Sequence, residues 1–279
     1  VYNPVGLYIL HRKNPVQTVI SHLQKSSRGP LDLGNSELAG YCAQNVCLNS
    51  FWSGQQLGNL EQENRAYLQR LEQLNQWTTA TYCRIYWQAI LNLLGWAEHP
   101  SILAGEACQE TEFFTQIAAA QDWLGLYIFS LYKLMLGYLF GEIELANSHA
   151  KAARQYLMAG VGMISEAGFY FYDSLSALAA LSLELVKTSE LLQRVDENQD
   201  KLQQQWAKYA PMNHQHKVDL VAAEKCRVLG EKAVAIELYD KAIAGAKANE
   251  YIQEEALANE LAAKFYLEWG KEKVAAGYM

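Results

Sequence analysis

The sequence is poor in residues that break or extend a chain, and in motifs that do chemistry. Only 5 prolines occur in 279 residues. Val, Ile and Thr in strict alternation are hard to find, so strand-rich folds lack their signal. No basic cluster stands out: 23 Lys and Arg stand against 30 Asp and Glu, a formal charge of −7. A groove that follows nucleic-acid phosphates needs concentrated positive charge, so no nucleic-acid partner is expected. The five cysteines (Cys42, Cys47, Cys83, Cys108 and Cys226) are odd in number and form no CxxC. Free thiols in a reducing cytosol are the expectation. No signal-peptide pattern follows Val1, and the expected location is cytoplasmic. The GxxxxGK[ST] phosphate loop, the kinase triplets HRD and DFG, and the GxSxG elbow are missing. No catalytic residue, metal ligand or cofactor is therefore assigned, and the segment is not expected to be an enzyme.

What is present favours helix. Leu, Ala, Gln and Glu fill most windows. With 51% hydrophobic and 19% charged residues, the chain is expected to fold around a large core. Residues 123–141, WLGLYIFSLYKLMLGYLFG, are long enough to span a membrane. Lys133 near their centre, and Asp122 and Glu142 without basic flanks, point instead to a buried helix.

A period near forty organises the chain. LGEKAVAIELY (229–239) matches WGKEKVAAGYM (269–279) when Gly230 is set on Gly270. Val234 then falls on Val274 and Ala235 on Ala275. Gly141, with Leu145 and Ala146, joins the set, as do Gly95 and Gly54. Alanine stands twelve residues after four of these glycines, at Ala66, Ala107, Ala153 and Ala242. A glycine ending one helix allows a left-handed turn. A small residue along the next helix lets two axes approach. The reading is a set of helical hairpins. Second helices such as 57–75 carry one apolar face; first helices (77–94, 121–140, 168–185) are apolar nearly all round, as a stacked array requires. The expected fold is all-α: a right-handed α-solenoid of tandem hairpins in one domain, 1–279. The hairpins lie near 1–30, 35–75, 77–120, 121–160, 168–210 and 212–279. The first breaks at Gly29-Pro30, a longer loop (99–107) interrupts the third, and the last includes a truncated further hairpin from about 252.

The LG…A…A pattern resembles the tetratricopeptide repeat, with a longer period than that family's 34 residues and without most of its aromatic and proline positions. A sharper resemblance is carried by ELAGYCAQNVCLNSFWSG (37–54), YCRIYWQAILNLLG (82–95), WAKYAPMNHQHK (206–217) and RVLGEKAVAIELYDKAIAGAKANEYIQEEALANELAAKFYLEWGKEK (227–273). These segments resemble the central helical region of large cyanobacterial signalling proteins. In that family a serine/threonine-kinase domain and a P-loop ATPase module come before the helices, and GAF and histidine-kinase modules after them. The resemblance implies a regulatory relay or scaffold without catalytic residues, cut from a longer chain. Its partners would be other domains of the same polypeptide, or a protein or peptide.

Three constellations invite chemistry. Asn213-His214-Gln215-His216 holds the only close histidine pair, but residues two apart on a helix face different ways, so a helix-start or surface role is expected. Asp196-Glu197-Asn198-Gln199-Asp200 is expected on a solvated face. Tyr82, Tyr86, Trp87, Tyr127, Tyr132 and Tyr172 crowd the first helices. They are the candidate contacts for a peptide or small apolar ligand in a concave groove, the alternative function of a sensor module. An all-helical enzyme, a third reading, would need a polar convergent pocket.

Overall fold

A computed structural model describes residues 2–26, 35–182 and 188–279; the expected break at Gly29-Pro30 lies outside them. Fourteen α-helices and no strand occur among these residues. The chain forms two compact units, Val1–Tyr172 and Asp173–Met279. The first contains α1 (Tyr2–Tyr8), α2 (Val16–Ser26), α3 (Ser36–Trp52), α4 (Leu57–Gln73), α5 (Trp77–Leu93), α6 (Glu110–Ala119), α7 (Trp123–Leu139) and α8 (Ile143–Tyr156). Helix α9 (Ile164–Ser182) begins in the first unit and ends in the second. The second continues with α10 (Thr188–Lys201), α11 (Pro211–Leu229), α12 (Lys232–Ala248), α13 (Ile252–Glu268) and α14 (Glu272–Ala275). Among the described residues no helix is long and apolar enough to cross a membrane.

The turns explain the period. Gly95, Gly141, Gly230 and Gly270 take φ of 73–79°, and Asn75, Gln121 and Glu250 take φ of 51–62°. After each, the next N–H bonds the carbonyl five residues back, from Gln76 to Leu71, for example, and from Lys271 to Tyr266, at 2.8–3.2 Å. This is the Schellman closure, in which a left-handed residue satisfies the last carbonyls of a helix. Helices α3, α4, α5, α7, α12 and α13 are each 17 residues long. Seventeen helical residues and a three-residue turn make a step of about 20, so the forty-residue period is two such steps. Cross-hairpin side-chain bonds repeat the period. Gln76 bonds Ser36 and Tyr82 bonds Asp122, both 40 apart. Gln44 bonds Tyr86, 42 apart, and Arg227 bonds Glu268, 41 apart. Equivalent first helices therefore run parallel.

First and second helices differ as their patterns demand. Helix α7 is buried along nearly its whole length, whereas α4 buries only Leu60, Glu61, Asn64, Leu68 and Leu71. The close approach is made five residues after Gly141, Gly230 and Gly270, where Ala146, Ala235 and Ala275 are fully buried; five residues after Gly95 stands the exposed Pro100. A Cβ on Gly137 would lie 3.0 Å from the Ala146 backbone. The twelve-residue alanine rule holds less well. Ala153 and Ala242 are buried in helix contacts, but Ala107 lies in a loop and Ala66 is exposed. The turn after Gly54 has one residue more before its helix begins, so the inward face of α4 is shifted by one.

The first unit closes on itself. Trp52, at the end of α3, lies 5.9 Å from the Tyr132 ring in α7 and 6.2 Å from the Tyr172 ring in α9. Gly168 leaves room for it, because a Cβ there would fall 2.5 Å from the indole. Gly162 likewise lies against Tyr8.

Candidate interaction surfaces

The six aromatic residues expected on a groove are all interior. Tyr86, Tyr127 and Tyr132 are fully buried, and Tyr82, Trp87 and Tyr172 are 4–6% exposed. For two of them the reason is the closure just described: Tyr132 and Tyr172 meet the rings of Phe51 and Trp52. Tyr132 packs against Phe51 at 4.8 Å and Tyr86 at 5.3 Å; Tyr172 packs against Trp52 and, at 6.0 Å, Tyr138. The polar ends are used inside. Tyr82 donates to both Asp122 oxygens at 2.9 Å, while Asp122 also caps α7 by accepting from Gly125. The Trp87 indole donates to Glu61 at 3.2 Å, and Arg65 lies over its ring. Burial pushes the phenol pKa of Tyr82, Tyr86, Tyr127 and Tyr132 upward, so all four remain neutral.

The loop inside the third hairpin is pinned from beneath by side chains of α5 and α7. Asn92 Nδ2 donates to the carbonyls of Pro100 and Ile102, and Gln88 accepts from Ala107 N and reaches Ala104 O. The buried Lys133 ammonium bonds Ser101 O and Glu110 Oε2, both at 2.7 Å. Glu110 also accepts from Leu103 N. Lys133 is thus the anchor of a loop, whose backbone would otherwise be left unsatisfied at the hairpin core.

In the second unit the histidine pair is at a helix start, as expected, but not at the surface: His214 and His216 are 1–2% exposed. Pro211 opens α11, and the next two turns carry a buried polar cluster. The Lys217 ammonium bonds Asn213 O at 3.1 Å, His216 Nε2 at 3.0 Å and Glu254 Oε1 at 3.1 Å. It lies 4.2 Å from the centre of the Tyr251 ring, against which the His216 imidazole packs at 4.6 Å with the planes tilted by 38°. Because Nε2 accepts from an ammonium, the imidazole proton sits on Nδ1. Burial lowers the pKa of Lys217 and raises that of Glu254, each opposed by its partner. Burial, then the neighbouring Lys217, hold His216 well below its ordinary value. A lysine made less basic beside a carboxylate and an imidazole is also how nucleophilic lysines are built. Here Lys217, Glu254, His216 and Tyr251 are 1–3% exposed, so the cluster ties α11 to α13 with no approach for a substrate. The acidic run behaves as expected at Asp196, Glu197 and Asp200, which are exposed. Asn198 instead turns inward to Asp173 Oδ2 at 2.8 Å.

Two residues that sequence reasoning passed over are the most open aromatics of the first unit's helix starts. Trp77 and Trp123 are 59% and 65% exposed, and each is the first residue of a first helix. Since α5 and α7 run parallel, both lie on the same edge. Their signal is positional: each stands two residues after a left-handed non-glycine residue, Asn75 or Gln121. Among the described residues no group of three or more His, Cys, Asp or Glu is placed to hold a metal ion. No family model, no curated protein and no solved structure matches this chain.

Proposed function

We propose that this chain is a non-catalytic helical-repeat scaffold, tetratricopeptide-like and right-handed in its winding, that works through protein contacts inside a larger cytoplasmic signalling kinase. The kinase context rests on the sequence resemblance of 37–54, 82–95 and 206–273. The contact role rests on one structural observation: Trp77 and Trp123 stand open to solvent on one edge while the other inner-helix aromatics named above are committed to the interior. Tryptophan loses little conformational freedom on binding and is the side chain most often found to dominate protein interfaces. The packing of Tyr132 and Tyr172 against Phe51 and Trp52 favours this reading over the alternative of a sensor that binds a ligand in a concave groove.

The test is made in the larger protein. Trp77→Ala with Trp123→Ala is expected to leave the fold intact, because exposed side chains contribute within about 0.5 kcal/mol of stability. The pair should abolish regulation of kinase output to the extent that deleting the whole region does. Output and assembly unchanged by either alteration would refute the scaffold reading.

A further inference from the structure

Helices α3 and α5 pack against each other along a seam. Gly40 sets how near they come: a Cβ there would lie 3.0 Å from Gln76 Cγ and 3.2 Å from Thr79 Oγ1. Seven residues make nearly two helical turns, so a residue seven further along returns to the same face. In these parallel helices Cys47 stands seven beyond Gly40, and Cys83 seven beyond Gln76. Both are at most 1% exposed, and the Cys47 thiol is hydrogen-bonded to that of Cys83. Gln44 and Tyr86, bonded at 3.2 Å, join the same two helices within a turn of the thiols.

The surroundings agree with this placement. Burial, then the bond to Cys83, hold the Cys47 thiol well above its ordinary pKa. After burial, both thiols are among the groups that raise the phenol pKa of Tyr86 and Tyr132, so the two sulfurs lie beside the same pair of rings. Small side chains facing across a seam serve close packing, as alanine would. Two thiols in contact can also be joined.

We propose that Cys47 and Cys83 are a modification site, a buried dithiol that peroxide converts to a disulfide tying α3 to α5. One sulfur attacks hydrogen peroxide: an S–O bond forms, the O–O bond breaks, and the departing oxygen leaves as water with the thiol proton. The second sulfur displaces the oxygen of that sulfenic acid: the S–S bond forms, the S–O bond breaks, and a second water leaves. Two thiols are oxidised and one peroxide is reduced. Burial sets the rate, because an enclosed thiol is a slow nucleophile; the oxidation takes hours rather than seconds. Peroxide is small and uncharged, which suits it to a site with no open approach. The new bond closes a loop containing all of α4 and constrains the unfolded chain, so the oxidised form is the more stable. The inference rests on the α3–α5 seam and stands apart from the kinase reading.

The test uses the folded 279-residue chain carrying Cys226→Ala, which removes the partly exposed thiol and with it links between chains. The chain is held in millimolar hydrogen peroxide for several hours, denatured and alkylated, and its peptides are mapped by mass spectrometry. The expected product has Cys42 and Cys108 alkylated and one peptide pair joined through Cys47 and Cys83. Its melting temperature rises by about 5 °C or more, and dithiothreitol in denaturant restores the missing thiols. With Cys47→Ala added, no linked peptide forms and peroxide leaves the melting temperature where it was. A chain alkylated at Cys42, Cys47, Cys83 and Cys108 after peroxide overturns the proposal. So does a link to Cys42 or Cys108, or a sulfinic acid at Cys47 or Cys83 without a link. The link is read in a chain whose α3–α5 seam is unaltered, so that reading stands even where Cys47→Ala fails to fold.

Discussion

The Lys217–Glu254 pair offers the sharpest test of how the second unit is held together. Glu254→Leu leaves a buried ammonium without its counter-charge. At pH 7 the folded state can at worst carry that lysine neutral, which costs about 4.6 kcal/mol from an ordinary pKa near 10.4. Lys217→Met leaves a buried carboxylate, and carrying it protonated costs about 3.7 kcal/mol. Replacing both at once removes both charges and keeps the volume, a change that is often neutral to within about 2 kcal/mol. The expected pattern is two costly single variants, together far worse than their combination. The pH signs differ. With Glu254 gone, Lys217 is neutral when folded and charged when unfolded. The unfolded state then binds the extra proton, and stability rises as pH climbs toward 10. With Lys217 gone, Glu254 is protonated when folded and ionised when unfolded, so stability rises as pH falls toward 4. Urea unfolding followed by circular dichroism, at pH 5, 7 and 9, measures all of this. Single-variant losses that merely add up in the double variant, or that do not respond to pH in opposite senses, would refute the account of the cluster as a mutually dependent buried pair.

Other expectations are simpler. Gly141→Ala meets nothing within 4 Å, so its destabilisation is the left-handed backbone penalty alone, about 1–2 kcal/mol in urea unfolding. Gly137→Ala should cost more, since its Cβ reaches the Ala146 backbone. Gln121→Gly should stabilise by about 1 kcal/mol, because a side chain at φ 51° is relieved. Burial lowers the fully enclosed His11 to about 4. It is neutral when folded and takes up a proton when unfolded, so stability falls as pH drops from 6.5 toward 4, by on the order of 3 kcal/mol; His11→Gln should flatten that slope. Lys133→Met should leave the helices intact but expose amides of residues 99–107 to rapid hydrogen exchange.

The turns at Gly95, Gly141, Gly230 and Gly270 were legible because glycine announces a left-handed residue. Asn75, Gln121 and Glu250 adopt the same conformation without announcing it; packing of the next helix holds them there, so half of each forty-residue step was hidden. The apolar encirclement of α5 and α7 was legible as burial. What buries them was not, since the meeting of Trp52 with Gly168 depends on how far the hairpins wind. Nor did Asn213, His216 and Lys217 declare themselves, as polar residues reveal their partners only once a second helix brings Glu254 and Tyr251 alongside. Trp77 and Trp123 misled in the other direction: hydrophobic by composition, they lie where a helix begins and its neighbours have already turned away.

The contact between Trp52 and Tyr172 carries a kinetic consequence. Bonds that join residues about forty positions apart, such as those from Asn213 to Tyr251 and from Arg227 to Glu268, form with little loss of chain entropy, and such hairpins can add to one another in any order. A joint between positions 52 and 172 must wait until everything between has condensed. The amino-terminal unit therefore has a late closing event in its assembly, whereas the bonds between α11 and α13 can form as soon as both helices exist.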